Sequence, residues 1–364
     1  MKTKKNKDYA GVLSSVFAIL IGLVVGLVVL ILCNPSQALP GFLTILTGAL
    51  THGMRGVGQV FYYATPIILT GLSVGFAFKT GVFNIGTPGQ FIMGAFGAVY
   101  AGIMWEQLGP VHWAAALLVS ILMGALWGLV PGILKAYFNV NVVISCIMMN
   151  YIGMYLVNWI VRSYKPLFNT LRNESKNVAA TAVIPKMGLD KVFPGSSVNG
   201  GILIAIAVVL FIYVLLNKTA FGYELKAVGY NGDAGKYAGI NEKRNVVAAM
   251  MIAGAIAGLA GGLLYLAGTG KHIEIKDVLA SEGFTGISVA LLGLSHPIGV
   301  LFAGLFIAYL TAGGFYLQLF EFSTEIIDII VAVIIYFSAF ALIVKSFLGK
   351  IREHKAGGEG GSKA

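Results

Sequence analysis

Long apolar runs separated by short polar stretches repeat along nearly the whole chain. A helix needs about 20 apolar residues to cross a bilayer. Runs of that kind cover 11–33, 60–78, 90–105, 112–134, 140–161, 200–216, 246–268, 298–319 and 326–344. A tenth run, 283–296 ("GFTGISVALLGLSH"), is short, broken by glycine and ends before Pro297. The stretch 39–58 is mixed and Gly-rich, and reads as an interfacial or re-entrant piece. The pattern predicts an all-α polytopic membrane protein of about ten transmembrane helices, with broken or re-entrant segments among them.

Composition agrees. Only 11% of the 364 residues are charged and 57% are hydrophobic, against about 25% charged in soluble domains. The 48 glycines suit helices that pack backbone to backbone in lipid. The net charge of +10 gathers at the ends, in Lys2, Lys4, Lys5 and Lys7 and in Lys345, Lys350, Arg352, Lys355 and Lys363. No soluble basic domain is present to hold nucleic acid. Basic flanks are retained in the cytoplasm, so both termini are expected there and the number of crossings is even.

Ten crossings put Lys79, Lys135 and 217–245 in cytoplasmic loops. Outside fall Glu106, 269–282 and the acidic Glu321, Glu325 and Asp328. The loop 162–199 also falls outside, although it carries Arg162, Lys165, Arg172, Lys176, Lys186 and Lys191. Longer loops translocate with less regard for charge, and this one is expected to fold against the outer mouth. The run from Gly11 to Cys33 exceeds the roughly 7–15-residue core of a signal peptide, and reads as a first transmembrane helix. Residues 1–348 form one expected transmembrane domain, and 349–364 ("AGGEGGSKA" at its end) a flexible cytoplasmic tail.

Catalytic chemistry finds no support. His52, His112, His272, His296 and His354 form no His-Glu-x-x-His pair, and no Gly-x-Ser-x-Gly elbow exists. Gly270-Lys271 is followed by His272 and Gly349-Lys350 by Ile351, so neither completes a phosphate loop. Cys33 and Cys146 stand in apolar surroundings without metal-type spacing. The chain is expected to be no enzyme and to hold no cofactor.

Polar groups at membrane depth are candidates for function, because they are costly when unsatisfied. "KTGVFNIGTPGQF" gathers Asn84, Thr87 and Gln90 around Gly86, Pro88 and Gly89. It reads either as a turn lining a pathway or as a cytoplasmic hairpin in which Asn84 and Thr87 cap the next helix. Asn141 and Asn150 are about two and a half helical turns apart and face nearly opposite ways, so at most one lines a path and the other is expected to bond between helices. Glu282 precedes the short tenth run and reads either as a helix-start carboxylate favoured by the dipole or as a proton carrier. "NIGTPGQFIMGAFGA" and "LASEGFTGISVALLG" echo one another, as halves of transporters do.

The most polar internal stretch is "KAVGYNGDAGKYAGINEKRN", 226–245. Its Asp-Ala-Gly-Lys-Tyr-Ala core predicts a helix of about two turns. This helix starts after Asn231 and Gly232 and ends at Gly239, a suitable C′ residue. Asp233 precedes Lys236, the favourable order against the helix dipole. A helix this short is unstable alone, so it is either gripped by another protein or rests on lipid headgroups.

With its Ala/Gly-rich continuation, this run resembles the coupling-loop region of permease subunits of bacterial ABC importers. The group it resembles is the branched-chain amino acid, ribose and nucleoside permease family. The matching positions are Gly229, Asn231, Ala234, Tyr237, Ala238, Gly239 and Ile240. "GLSVGFAFKTGVFNIGTPGQFIMGA", 71–95, is similar to a second family signature in its nucleoside form. It departs from that form at Thr87-Pro88, where a small residue and Glu are more usual. The resemblance spans roughly 11–348. It implies two permease chains, two ATP-binding subunits docked on short coupling helices, and an extracytoplasmic lipoprotein receptor, all at the bacterial cytoplasmic membrane. It makes Gly229, Asn231, Asp233, Ala234, Tyr237 and Gly239 the expected ATPase contact. Asn84, Thr87, Gln90, Asn141, Asn150 and Glu282 remain the candidates for a substrate path. The implied substrate is a nucleoside. The alternatives are a sugar or branched-chain amino acid carried by the same mechanism, and a self-contained secondary transporter or channel.

Overall fold

The computed structural model describes residues 19–323 and, beyond them, 325–326, 328–330, 332–333 and 336–337. Most of the expected last run 326–344, the tail 349–364 and the N-terminal lysines lie outside the described residues. The chain forms two compact units, one of residues 49–312 and one made of residues up to 48 with those from 313 onward.

Residues 49–312 form the larger unit. It contains α3 (Gly53–Lys79), α4 (Thr87–Met104), α5 (His112–Phe138), α6 (Val142–Ser163), α8 (Gly201–Lys218), α9 (Ala220–Tyr230), α10 (Gly232–Tyr237), α11 (Glu242–Tyr265) and α12 (Ser281–Leu292), with the four-residue α7 (Leu189–Val192) in a loop. Two two-residue strands, β1 (Phe168–Asn169) and β2 (Glu174–Ser175), pair antiparallel in that loop. In the other unit, α1 (Ile19–Cys33) and α2 (Ala38–Thr51) are apolar helices. Gly26 lies against Ile330, and Gly41 against Phe322 and Leu317. Helix α13 (Pro297–Phe315) follows the turn after α12.

Among the described residues, six helices are long and apolar enough to cross a membrane: Gly53–Lys79, Glu106–Phe138, Val142–Ser163, Gly201–Lys218, Glu242–Tyr265 and Pro297–Phe320. This makes the chain an all-α polytopic membrane protein. Helix starts and ends fall within a few residues of the apolar runs, with two exceptions. The stretch 39–58 is helical; it divides at Gly53, whose φ is 59°, and its second half is the start of α3. The run 283–296 yields a helix of 12 residues, about 18 Å at 1.5 Å per residue, short of a roughly 30 Å hydrocarbon core. Leu294 and Ser295, both at positive φ, reverse the chain before α13.

The centre of the larger unit is built on small residues. Gly124, Gly128 and Gly132 of α5 face Met250, Gly254 and Gly258 of α11, and Gly94 of α4 meets Gly258. A Cβ at Gly254 would overlap the Gly124 carbonyl. Without a hydrophobic force between helices in lipid, such close approach supplies dispersion. Ser120 adds a hydrogen bond from Oγ to the Gly258 carbonyl at 2.5 Å.

Two ends of this unit are distinguished by their contacts. At one, Gly229 at the end of α9 packs on the backbone of Thr80 and Gly81, and a Cβ there would approach Thr80 C to 2.6 Å. At the other, Ala179 N donates to Gly102 O (2.8 Å), Ile184 N to Leu266 O (2.9 Å) and Ser175 N to Ile273 O (2.9 Å). The loop 164–200 thus folds onto the ends of α4 and α11 and onto 266–275. His112 is buried there, bonded through its ring to Thr181 Oγ1 (2.8 Å) and Ala101 O (2.9 Å).

Candidate functional site

The segment between α8 and α11 is a staircase of capped helices. Thr219 Oγ1 accepts from Gly222 N at 3.0 Å and starts α9. Asn231 Oδ1 accepts from Ala234 N at 3.1 Å and starts α10. Asn241 Oδ1 accepts from Arg244 N at 3.0 Å and starts α11. Each cap satisfies an N–H that the first turn leaves open. Helix α10 ends in a Schellman arrangement, with Gly239 N to Lys236 O (2.9 Å) and Ile240 N to Gly235 O (3.0 Å). Gly239 supplies the required positive φ of 77°. The short helix expected from the sequence therefore forms, with six residues.

Its foundation is apolar and its outer face is not. Val228 and Leu225 of α9 are buried, as is Gly235 of α10, while Asp233 and Lys236 are exposed. Lys236 pairs with Glu242 at 2.9 Å and with Asp233 at 3.5 Å. The hydrogen bond and charge of Glu242 hold its pKa above the usual lysine value. Three tyrosines project outward: Tyr223 is 70% exposed, Tyr230 85% and Tyr237 96%. Beside α10, an open hollow of about 590 Å³ is bordered by Lys135, Tyr137, Asn139, Asn241 and Lys243. Lys243 Nζ lies 5.2 Å from the centre of the Tyr137 ring. Beneath the segment, Asn245 is buried, donates to Asn241 O (3.1 Å) and leaves its Oδ1 without a partner. Tyr237 is among the contacts expected from the sequence, whereas Tyr223, Tyr230 and Asn245 were not singled out; the seven-residue spacing of the tyrosines was the available signal.

The polar turn 80–90 is closed on itself. Asn84 Nδ2 donates to Gln90 Oε1 (2.9 Å), and Asn84 Oδ1 accepts from Gln90 Nε2 (3.2 Å) and from Gly86 N (3.0 Å). Thr87 Oγ1 is 3.4 Å from Asn84 O. Asn150, eight residues into α6, accepts from Gly89 N (2.9 Å) and donates to Ile85 O (3.0 Å). Asn84, Thr87, Gln90 and Asn150 are each at most 1% exposed. These four stand together, with every hydrogen bond turned inward. Asn141 is apart from them: it is the exposed N-cap of α6, accepting from Val143 N at 2.9 Å.

Glu282 opens into a different place. A cavity of about 290 Å³ lies at the end opposite α10, between 271–282, α6 and the end of α11. Glu282 Oε1 receives Lys271 Nζ at 2.7 Å. Tyr265, His272 and Glu274 also line it, and Ile92 and Met154 reach it from α4 and α6. Asn158 Nδ2 fixes the wall by donating to Lys276 O at 3.0 Å. Gly283, next to Glu282, touches the start of α4, where a Cβ would meet Pro88 Cα at 2.5 Å. The two echoing segments thus bring their helix starts together. Among the described residues, no group of three His, Cys, Asp or Glu side chains could hold a metal.

Residues 56–339 match the family described as "Branched-chain amino acid transport system / permease component". Over 355 residues the chain is 34% identical to the guanosine ABC transporter permease protein NupP of Bacillus subtilis, covering 96% of this chain and 99% of that one. Over 360 residues it is 32% identical to the nucleoside ABC transporter permease protein NupB of Lactococcus lactis, covering 98% and 97%. A glucose ABC transporter permease protein, TsgB13 of Haloferax volcanii, is 30% identical over 305 residues, covering 82% and 78%. No solved structure matches the chain. With its apolar helices and its full-length likeness to these permeases, the chain belongs to the permease-component family of ABC transport systems and is a multi-pass protein of the cell membrane.

Proposed function

We propose that the chain is the translocation subunit of an ATP-driven nucleoside importer. The observation that carries this reading is its full-length likeness to two permeases named for guanosine and nucleosides. The permease itself is non-catalytic; ATP is bound and hydrolysed on two separate subunits. A second permease chain completes the path, and an extracytoplasmic lipoprotein receptor delivers the nucleoside. Residues 1–348 act as one transmembrane domain with ten crossings, the short α12 making one of them together with the non-helical residues 271–280 before it; both termini lie in the cytoplasm, and 349–364 form a cytoplasmic tail.

The 217–245 segment lies on the cytoplasmic side. There Gly229, Asn231, Asp233, Ala234, Tyr237 and Gly239 form the contact with the ATPase. Capping and buried Val228 fix the helix rigidly, while exposed Tyr237 and Tyr230 supply aromatic anchors of the kind that dominate interfaces. Closure of the ATPase pair pushes this handle, and the pore passes between two rigid-body states. Glu282 lies on the substrate path at the opposite end. Asn84, Thr87, Gln90 and Asn150 line the path only in a state that opens their turn, and Asn141 stands at its cytoplasmic exit.

Uptake of labelled guanosine, with ribose and leucine as controls, tests this in cells carrying the chain, its ATPase and its receptor. The expected result is guanosine uptake lost when the ATPase is inactivated. Uptake of only ribose or leucine, still ATPase-dependent, would move the substrate. Guanosine uptake indifferent to the ATPase would support a secondary transporter.

A further inference from the structure

We propose that the cavity beside Glu282 is a nucleoside-binding station within the permease, in which the Glu282 carboxylate takes the vicinal hydroxyls of the ribose. This inference rests on the nucleoside reading above and adds a place and a recognising group to it.

The cavity has the right scale. Small-molecule pockets run from about 300 Å³ upward, so its roughly 290 Å³ suits one base and one sugar rather than a larger ligand. Its walls are held in advance. Asn158 ties α6 to Lys276 O. Ser175, itself 1% exposed, makes a two-way clasp with Ile273, its N donating to Ile273 O and its Oγ accepting from Ile273 N at 3.0 Å. Tyr62 OH and Thr269 Oγ1, 3.0 Å apart, hold the loop to α3. Such fixed walls spare a ligand the cost of ordering them.

The chemistry favours an uncharged polyol bearing a flat ring. A carboxylate offers two oxygens and accepts two hydrogen bonds side by side, which matches two neighbouring hydroxyls. Glu282 Oε1 is engaged by Lys271, and Oε2 lies 3.4 Å from the Ser281 hydroxyl. Lys271 Nζ is 5.9 Å from the centre of the Tyr265 ring, so a tyrosine face lies beside the cation as a surface for a base. The lining pairs Lys271 with Glu282 and Lys276 with Glu274, so it carries no net charge to draw a phosphate, which sets nucleosides apart from nucleotides. When the ribose arrives, Lys271 gives up one oxygen to it, and the ion pair re-forms when the site empties.

The test reads binding at the cavity directly. Ala280 lines it, and the exposed Cys33 is removed as Cys33→Ser so that Ala280→Cys is the accessible thiol. The full importer in nanodiscs is treated with a membrane-impermeant methanethiosulfonate, with and without millimolar nucleoside. We expect guanosine to slow modification at least about fivefold, and 2′,3′-dideoxyguanosine, leucine and guanosine monophosphate to slow it less than twofold. Glu282→Gln should abolish protection by guanosine. The charge exchange Lys271→Glu with Glu282→Lys restores an ion pair but places no carboxylate at 282, and should stay unprotected. Equal protection by the dideoxy analogue, or protection that survives Glu282→Gln, overturns the role of the carboxylate. No protection by any nucleoside in an importer that carries guanosine in an ATPase-dependent way overturns the station alone. If guanosine is not carried at all, the underlying nucleoside reading fails instead.

Discussion

Replacing Asn150 with alanine removes two hydrogen bonds at once, those from Gly89 N and to Ile85 O. Both tie the turn that starts α4 to the middle of α6. In a dry site each orphaned group would cost about 1–3 kcal/mol. Between membrane helices, measured hydrogen bonds average about 0.6 kcal/mol and reach about 1.7. Asn150 is 1% exposed and buried in protein, so water cannot replace the lost bonds without a rearrangement. The two bonds together therefore amount to about 1–3 kcal/mol. At about 2–4 °C per kcal/mol for chains of 150–250 residues, and less for this longer one, the melting temperature should fall by several degrees. Cys146 is the reporter, being buried and 3.8 Å from Asn84 Oδ1. In a Cys33→Ser background, a thiol-reactive dye will label it as the region opens on heating. Asn141→Ala is the comparison. It removes one exposed cap and should cost about 1 kcal/mol or less. Unchanged melting of Asn150→Ala, with a raised KM for uptake, would refute this reasoning and make Asn150 a substrate contact.

Three further outcomes follow from the packing. Gly254→Ala places a Cβ into the Gly124 backbone, which no rotamer can relieve. Overpacking of this kind costs about 1–3 kcal/mol, read as a lower melting temperature or a reduced monodisperse fraction in detergent; unaltered melting would mean that α5 and α11 are not in the contact described. Gly239→Ala meets no atom within 4 Å but must hold a φ of 77°, a strain of about 1–2 kcal/mol. It should impair coupling more than Gly239→Asn, which tolerates that conformation, and equal activity of both would remove the turn from the mechanism. A cysteine at Lys176 should react with an impermeant reagent added to intact cells; reaction only after lysis would invert the proposed orientation.

The long helices were legible because an apolar run in lipid leaves little choice. Every backbone group must find its partner within the segment, so α5, α6, α8 and α11 begin and end near the runs that announce them. Helix α10 was legible for another reason. Asn231 and Gly239 are the residue types that cap and terminate a helix, and they bracket it in sequence. What remained hidden depends on pairings between distant segments. Asn84, Gln90 and Asn150 read as candidates for a path, and the alternatives, a capping turn and a bond between helices, named no partner: Asn150 stands 61 residues from Gly89, whose N–H it accepts. Lys271 gave no sign of pairing with Glu282, because loop 266–280 owes its course to Ser175, Asn158 and Ile184 on other elements. Asn141 was expected inside a span and is instead the cap before it; its extended backbone, not its polarity, decides that place.

The most direct test of the account measures ATP hydrolysis and guanosine uptake together in proteoliposomes holding the chain, its partner permease, its ATPase and its receptor. Asn231→Ala removes the cap of α10, and Tyr237→Ala removes its most exposed aromatic. The account predicts that each variant inserts normally and that ATP hydrolysis continues, while uptake per ATP falls about tenfold or more, as loss of an aromatic anchor worth about 2 kcal/mol implies. Uptake per ATP equal to that of the unaltered chain in both variants would contradict it, and the segment 226–245 would lose its role as the handle on which the ATPase acts.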